Sequence, residues 1–237
     1  MLNRTVVITV LILILTGYSA PAQTIDTAEQ LLSQAQYQQG IRTLKKIMTD
    51  KAGPKKDKAD AGIRLARFFS DQAGDVQRAI RYYKKTLSSG WLNGDAARKK
   101  KVKTRLDQLM ALESEHRDLN RTVRQMKSVT NQRESLDADA RKKSLKLNLQ
   151  QLDQILKTRP DYYRIHDLYF TIGLTRLALD QPFQAWKSFN SALDAKPAMD
   201  LYQPVSKLKQ RSQTAWQTSF SHMTAWSVLG LAIMVLI

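Results

Sequence analysis

Residues 169–197, YFTIGLTRLALDQPFQAWKSFNSALDAKP, decide the fold because their small, bulky and helix-breaking residues predict two helices packed face to face. Ala185 follows Gly173 by twelve residues, and small side chains at both positions let two antiparallel helices approach closely. Asp180-Gln181-Pro182 forms the break between the helices. Apolar side chains at helical spacing fill the space between them: Tyr169, Ile172, Phe189 and Leu193.

This stretch resembles the tetratricopeptide repeat (TPR), a helix-turn-helix unit of about 34 residues. The resemblance is clearest over residues 162–197, where it rests on Gly173, Ala185, Phe189, Ala192 and the closing Pro197. Arg176 occupies a place where that family usually has Tyr. The resemblance implies a solenoid of stacked helix pairs that binds other proteins and seldom performs chemistry itself.

Two weaker copies of the unit lie at residues 25–52 and 60–90. In the second copy, Ala79 and Tyr83 have the same four-residue separation as Ala185 and Phe189. Residues 23–90 are therefore interpreted as TPR-like repeats, and residues 159–211 as a further repeat with a following helix. A generic helical bundle without true repeats is the alternative interpretation.

The resemblance also implies a partner-binding groove, because the first helix of each unit lines the concave face in that family. Carried onto the clearest unit, it assigns Asp167, Phe170, Leu174 and Leu177 to this groove, which would take a hydrophobic anchor from a partner. The alternative is that the three apolar residues pack on a neighbouring helix. On the earlier first helix, Arg64 and Arg67 are candidate rim charges.

Residues 91–158 predict a long helical hairpin with coiled-coil character. The segment 95–159 contains neither Gly nor Pro, so nothing in it interrupts a helix. The first arm would begin at Asp95, run for about 33 residues and reach about 50 Å. Self-association and an intramolecular hairpin are both compatible with its apolar seam, which consists of Leu109, Leu112, His116, Leu119, Val123 and Met126.

Both ends of the chain carry apolar segments. Residues 1–22 have the basic start, apolar run and small-residue ending of a secretory signal peptide, with an uncleaved anchor as the alternative. Residues 212–237 predict the start of a transmembrane helix, with Trp216 and Trp226 at the lipid boundary. This span is expected to be truncated, because about 22 Å of apolar helix is shorter than a bilayer core of about 30 Å. A terminal amphipathic or core helix is the alternative.

Composition restricts the classes of partner. The formal net charge of +17 is spread along the chain, which is typical of solvated helix faces and also suits an anionic lipid or a cell-wall polyanion. Nucleic acid is not expected as a partner, because the secretory signal removes the chain from the cytoplasm. The chain has no cysteine, and its three histidines lack a second ligand at metal spacing, so we expect no metal and no cofactor. It also has no Gly-rich phosphate loop and no Ser or Cys nucleophile motif, so we expect no enzymatic activity.

These patterns predict an all-α, TPR-like solenoid that contains an inserted helical hairpin and ends in a truncated transmembrane helix. The expected function is a membrane-anchored scaffold on the periplasmic face of the inner membrane that binds a protein or peptide ligand in an envelope complex. The alternative is the sensory ectodomain of a membrane receptor whose cytoplasmic output domain lies outside this sequence. The patterns do not predict an oligomeric state.

Overall fold

The computed structural model describes residues 24–131 and 137–236, and within these ranges the protein is built from helices without strands. The prediction of an all-α fold is confirmed. Ten α-helices occupy the described residues: α1 Ile25–Ser33, α2 Tyr37–Thr49, α3 Lys55–Arg67, α4 Val76–Ser88, α5 Ala96–Glu115, α6 Arg117–Asn131, α7 Ala138–Thr158, α8 Ile165–Ala178, α9 Pro182–Ala195 and α10 Val205–Leu236. A π-helical segment, Phe68–Gln72, extends α3, and a 3-10 segment, Pro197–Leu201, follows α9.

Three pairs of helices that are neighbours in sequence share one kind of connection. Helix α1 packs on α2, α3 on α4 and α8 on α9, and each pair is joined by a tight turn. Each turn contains one residue with left-handed backbone geometry: Ala35 (φ 58°), Gly74 (φ 68°) and Asp180 (φ 57°). In the first and third turns, the next backbone N–H donates to the carbonyl five residues earlier at 2.9 Å, which closes the preceding helix.

The predicted break at residues 180–182 shows why this turn forms. Asp180 tolerates the left-handed conformation better than most residues with a side chain. Pro182 opens α9, where a missing N–H costs no helical hydrogen bond. The preceding helix ends and the following helix starts within three residues, so α8 and α9 lie antiparallel.

The long arm expected at residues 95–127 is divided at His116, whose φ of −99° and ψ of 17° interrupt the helix. Helix α5 packs on α4, whereas α6 packs on α7 and α8, so the hairpin consists of α6 and α7. The helix is divided at His116 because the apolar faces of α5 and α6 pack against different parts of the protein. Val102 and Leu106 of α5 join the core of the first four helices, while Val123 and Met126 of α6 join the core around α8.

The last helix begins inside the folded core. Val205 is fully buried and, with Leu208, packs on the cluster formed by α8 and α9. The backbone of α10 then continues as helix to Leu236. Among the helices in the described part of the chain, none is both long enough and apolar enough to span a bilayer. The predicted signal peptide at residues 1–22 lies outside the described residues.

Candidate partner-binding cleft

A cleft of about 660 Å³ separates α3 from α5, and we call it the α3–α5 cleft. Ile63 of α3, Tyr83 of α4 and Val102 of α5 line its floor, and all three side chains are buried there. The cleft exists because α5 packs on α4 and so lies beside α3 as the next helix of the stack. Its charged lining consists of Asp60, Arg64, Arg67, Asp71, Asp95, Arg98, Lys101 and Arg105.

Ion pairs cross the cleft and hold its two walls together. Arg98 of α5 pairs with Asp60 of α3, and Nη2 of Arg105 lies 3.2 Å from Oδ1 of Asp71. Asp71 is available for this pair because it belongs to the π-helical segment, whose wider turn continues α3 beyond Arg67. The two pairs neutralise four of the eight charged side chains that line the cleft.

Two cations of the cleft remain without an acidic partner. Arg64 pairs with Glu29 of α1, but neither Arg67 nor Lys101 has a carboxylate within ion-pairing distance among the described residues. Both side chains are exposed, so an incoming ligand can reach them. The charge of Arg67 also acts on Tyr83: burial raises the pKa of that tyrosine, and Arg67, together with the paired Arg105, opposes the rise.

Asp167, one of the residues assigned to the groove by resemblance, is buried and belongs to a network of hydrogen-bonded side chains. Its Oδ2 accepts a hydrogen bond from Nε of Arg164 at 2.8 Å, and its Oδ1 accepts one from Nε2 of Gln203 at 2.8 Å. The side-chain oxygen of Gln203, Oε1, accepts a hydrogen bond from Nζ of Lys127 at 2.8 Å. Burial raises the pKa of Asp167, but Arg164 and the hydrogen bonds outweigh it and keep that pKa below its usual range. These hydrogen bonds connect α6, the start of α8 and the segment just before α10.

The three apolar residues assigned to the same groove pack inside the protein. Phe170 is 3% exposed, and its ring centroid lies 5.9 Å from that of Phe189. Leu174 and Leu177 are half-buried against the same cluster of α8, α9 and α10 side chains. The structure therefore places them as packing residues, and their part in partner binding stays a prediction.

The residues predicted to pack the repeats lie in the cores of two helix pairs. Gly173 faces the ring of Phe189 across the interface between α8 and α9, and Ala185 and Ala192 are fully buried beside it. Ala79 and Tyr83 are likewise buried between α3 and α4. Pro197 lies two residues after the end of α9, where it opens the 3-10 segment.

The α3–α5 cleft combines two features that the sequence showed separately. Arg64 and Arg67 are the candidate rim charges of the sequence analysis, whereas Arg98 and Lys101 belong to a run of four consecutive basic residues, 98–101, in α5. Val102, Leu106 and Leu109 share one face of α5, and this apolar spacing in the sequence predicts which way the basic residues of the helix face. With that face buried, the neighbouring basic residues point along the edge of the cleft.

Among the side chains that the structure describes, in residues 24–131 and 137–221, no three of the metal-binding types come together as a possible ion site. The chain matches no known family model, no curated protein and no solved structure. The geometry of the cleft is therefore the basis for a functional proposal.

Proposed function

We propose that this chain is a scaffold of TPR-like helical repeats that holds an acidic segment of a partner protein in the α3–α5 cleft. The observation that carries the proposal is the unpaired charge of Arg67 and Lys101 in an accessible cleft between two helices. Carboxylates of a partner would pair with these cations. The buried Ile63 and Val102 would form the floor beneath the partner's segment. The partner's segment would lie between the two walls rather than on the buried face of α8.

The TPR-like part of the proposal is supported by the recurring turn. Ala35, Gly74 and Asp180 occupy the same position in three helix pairs, immediately before the residue that precedes the second helix. Two of these pairs also carry the small and aromatic residues on which the resemblance rests, Ala79 and Tyr83 in one and Ala185 and Phe189 in the other. Stacked pairs of this kind offer an extended surface suited to protein ligands.

We further propose that the scaffold is tethered to the periplasmic face of the inner membrane. Residues 1–22 supply a signal for export, and the uncharged run after Arg211 supplies an apolar segment. Because α10 starts at the buried Val205 and its backbone remains helical to Leu236, such a tether would be joined directly to the core.

The continuity of α10 also favours the second candidate, a receptor ectodomain. A partner that altered the packing of Val205 or Leu208 would shift a helix leading out of the core. The reading frame downstream of Ile237 distinguishes the candidates, because a kinase, cyclase or methyl-accepting domain there would establish the receptor and exclude a simple scaffold.

Binding of a short fluorescent peptide rich in Glu tests the cleft directly. We expect the double variant Arg67→Glu/Lys101→Glu to weaken binding at least about tenfold, because two attractive charges become repulsive. The matched control is Lys142→Glu/Lys143→Glu on α7, which changes the net charge equally at exposed positions outside the cleft. Equal weakening by both double variants would indicate diffuse attraction, as for a cell-wall polyanion, and would contradict the cleft assignment.

A further inference from the structure

An aromatic patch lies where the start of α9 meets the middle of α10. It consists of Phe183 and Trp186 of α9 with Trp216 of α10, and Phe220 follows Trp216 by one helical turn on the same side of α10. Phe183 stacks on Trp186 with centroids 6.0 Å apart and meets Trp216 edge-on at 5.5 Å. Phe183 is 40% exposed and Phe220 is 61% exposed, so the patch presents aromatic surface to its surroundings.

The patch points in a defined direction along α10. Since the short 3-10 segment joins the end of α9 to the start of α10, these two helices run antiparallel. The first residues of α9 therefore lie beside Trp216, at the end of the helical core that faces the chain terminus. From Phe220, the helix backbone extends for about 24 Å to Leu236 through a sequence without a charged residue.

Lys187 gives the patch a cationic edge. Its Nζ lies 4.5 Å from the centroid of the Phe183 ring. Aromatic rings with an adjacent cation suit the boundary between lipid and water, where the rings enter the apolar edge and the ammonium group stays among the headgroups. The net charge of +17 adds a general attraction to anionic lipid.

We propose that this aromatic patch is a second membrane contact, which seats the end of the α8–α9 pair in the headgroup region of the bilayer. The inference rests on the proposed tether, because residues beyond Phe220 would bring the patch to the lipid. It adds an orientation: the turn between α8 and α9 faces the membrane, and the opposite end of α9 faces away from it. The scaffold is then held at a fixed angle by two attachments instead of one.

The absence of cysteine allows a site-specific test with the full chain. The variant Gln184→Cys places a polarity-sensitive fluorophore beside Phe183, and Asp194→Cys places it at the other end of α9, about 15 Å away. Both positions are exposed. Each labelled chain is reconstituted into phosphatidylcholine vesicles, with and without phosphatidylglycerol, that contain lipids brominated near the headgroups.

We expect a blue shift and quenching by brominated lipid for the fluorophore at position 184, and neither for the fluorophore at position 194. Adding Phe183→Ser/Phe220→Ser should abolish the quenching at position 184 while the chain still floats with the vesicles. Equal signals at the two positions would overturn the proposal. So would a blue shift at position 184 that appears without vesicles and grows with protein concentration, since this would assign the patch to contact between copies.

Vesicle flotation separates failure of this inference from failure of the proposed function. If the chain floats with the vesicles but position 184 reports water, the second contact is wrong and the tether stands. If the chain does not float, both the tether and the contact are wrong. Peptide binding in the α3–α5 cleft is measured without vesicles, so neither outcome affects that test.

Discussion

The ring of Phe189 occupies the space that a side chain at Gly173 would need. A Cβ atom built on Gly173 lies 2.6 Å from Cε1 and 2.8 Å from Cδ1 of Phe189, closer than packed carbon atoms approach. Phe189 is fully buried and therefore has little room to move away. The glycine thus contributes to the packing of α8 on α9 by making space for an aromatic ring.

The variant Gly173→Ala should destabilise the protein, although alanine favours the helix by about 1 kcal/mol. Overpacking against a rigid ring costs about 1–3 kcal/mol, so the steric effect should exceed the helical gain. Denaturant unfolding measures the loss. In a Phe189→Leu background the same substitution should cost less, because the shorter side chain leaves room for the methyl group. Strictly additive losses in the two backgrounds would contradict this account of the contact.

Gly74 lies in the turn between α3 and α4, next to the ring of His166 at the start of α8. Its φ of 68° is costly for residues with a side chain, and a Cβ atom there would collide with the ring of His166. Gly90, with φ of 71°, is a matched control, because its Cβ would meet only the side-chain amide of the exposed Asn93, at 3.2 Å.

We expect Gly90→Ala to cost about 1–2 kcal/mol from backbone strain alone. Gly74→Ala should cost about 1–3 kcal/mol more, because the buried ring of His166 must also shift. Urea unfolding of both variants provides the comparison. Equal losses of unfolding free energy in the two variants would show that the contact with His166 does not affect stability.

The helix pairs were predictable from sequence because their determinants are local. The spacing of Gly173, Ala185 and Phe189 and the break at Asp180 specify two helices and the turn between them. The division at His116 was not predictable in the same way. A seam of apolar residues runs through that position, and only the tertiary neighbours of α5 and α6 decide that the two halves pack on different cores.

The α3–α5 cleft was beyond prediction for a related reason. Arg67 and Lys101 lie far apart in the sequence, and their proximity depends on α5 stacking beside α3. For the groove assigned to α8, the sequence identifies the apolar face but not what covers it. The spacing of Phe170, Leu174 and Leu177 marks an apolar face equally well whether a partner or the rest of the chain covers it, and here α9 and α10 side chains cover it.

Protonation of His166 should destabilise the fold in mild acid. The ring is 3% exposed, and burial lowers its pKa from 6.5 to about 4, with Asp167 opposing and Arg164 and Lys196 reinforcing the change. The unfolded chain therefore takes up this proton at a higher pH than the folded chain does. The free energy of unfolding should have its full value well above pH 6.5, and it should decline by about 3 kcal/mol as the pH falls to about 4.

The variant His166→Asn isolates this effect, because it removes the titrating group from the same buried position. Unfolding free energies measured between pH 4 and pH 7 should show a weaker pH dependence in the variant, whatever its absolute stability. The paired carboxyl of Asp167 acts in a different window, since its pKa is lowered from 3.8 and its contribution is lost only at more acidic pH. An unchanged slope in the variant would contradict the assignment to His166.

The side chain of Asn120 satisfies two tyrosine hydroxyls at the junction of α6 and α8. Its Oδ1 accepts a hydrogen bond from Tyr162 at 2.5 Å, and its Nδ2 donates to the hydroxyl of Tyr163 at 2.9 Å. Tyr163 in turn donates to Glu113 of α5. Asn120 is 3% exposed and Tyr162 is 2% exposed, so water does not replace either partner freely.

Replacing Asn120 with Ala should cost about 1–3 kcal/mol, because the buried hydroxyl of Tyr162 then lacks an acceptor. In a Tyr162→Phe background, the same replacement should cost less, since no hydroxyl of residue 162 is stranded. Thermal or urea unfolding of the four proteins gives the coupling energy between the two side chains. A coupling energy of zero would mean that the hydroxyl of Tyr162 is satisfied by water in the folded protein, and that the network between α6 and α8 contributes packing alone.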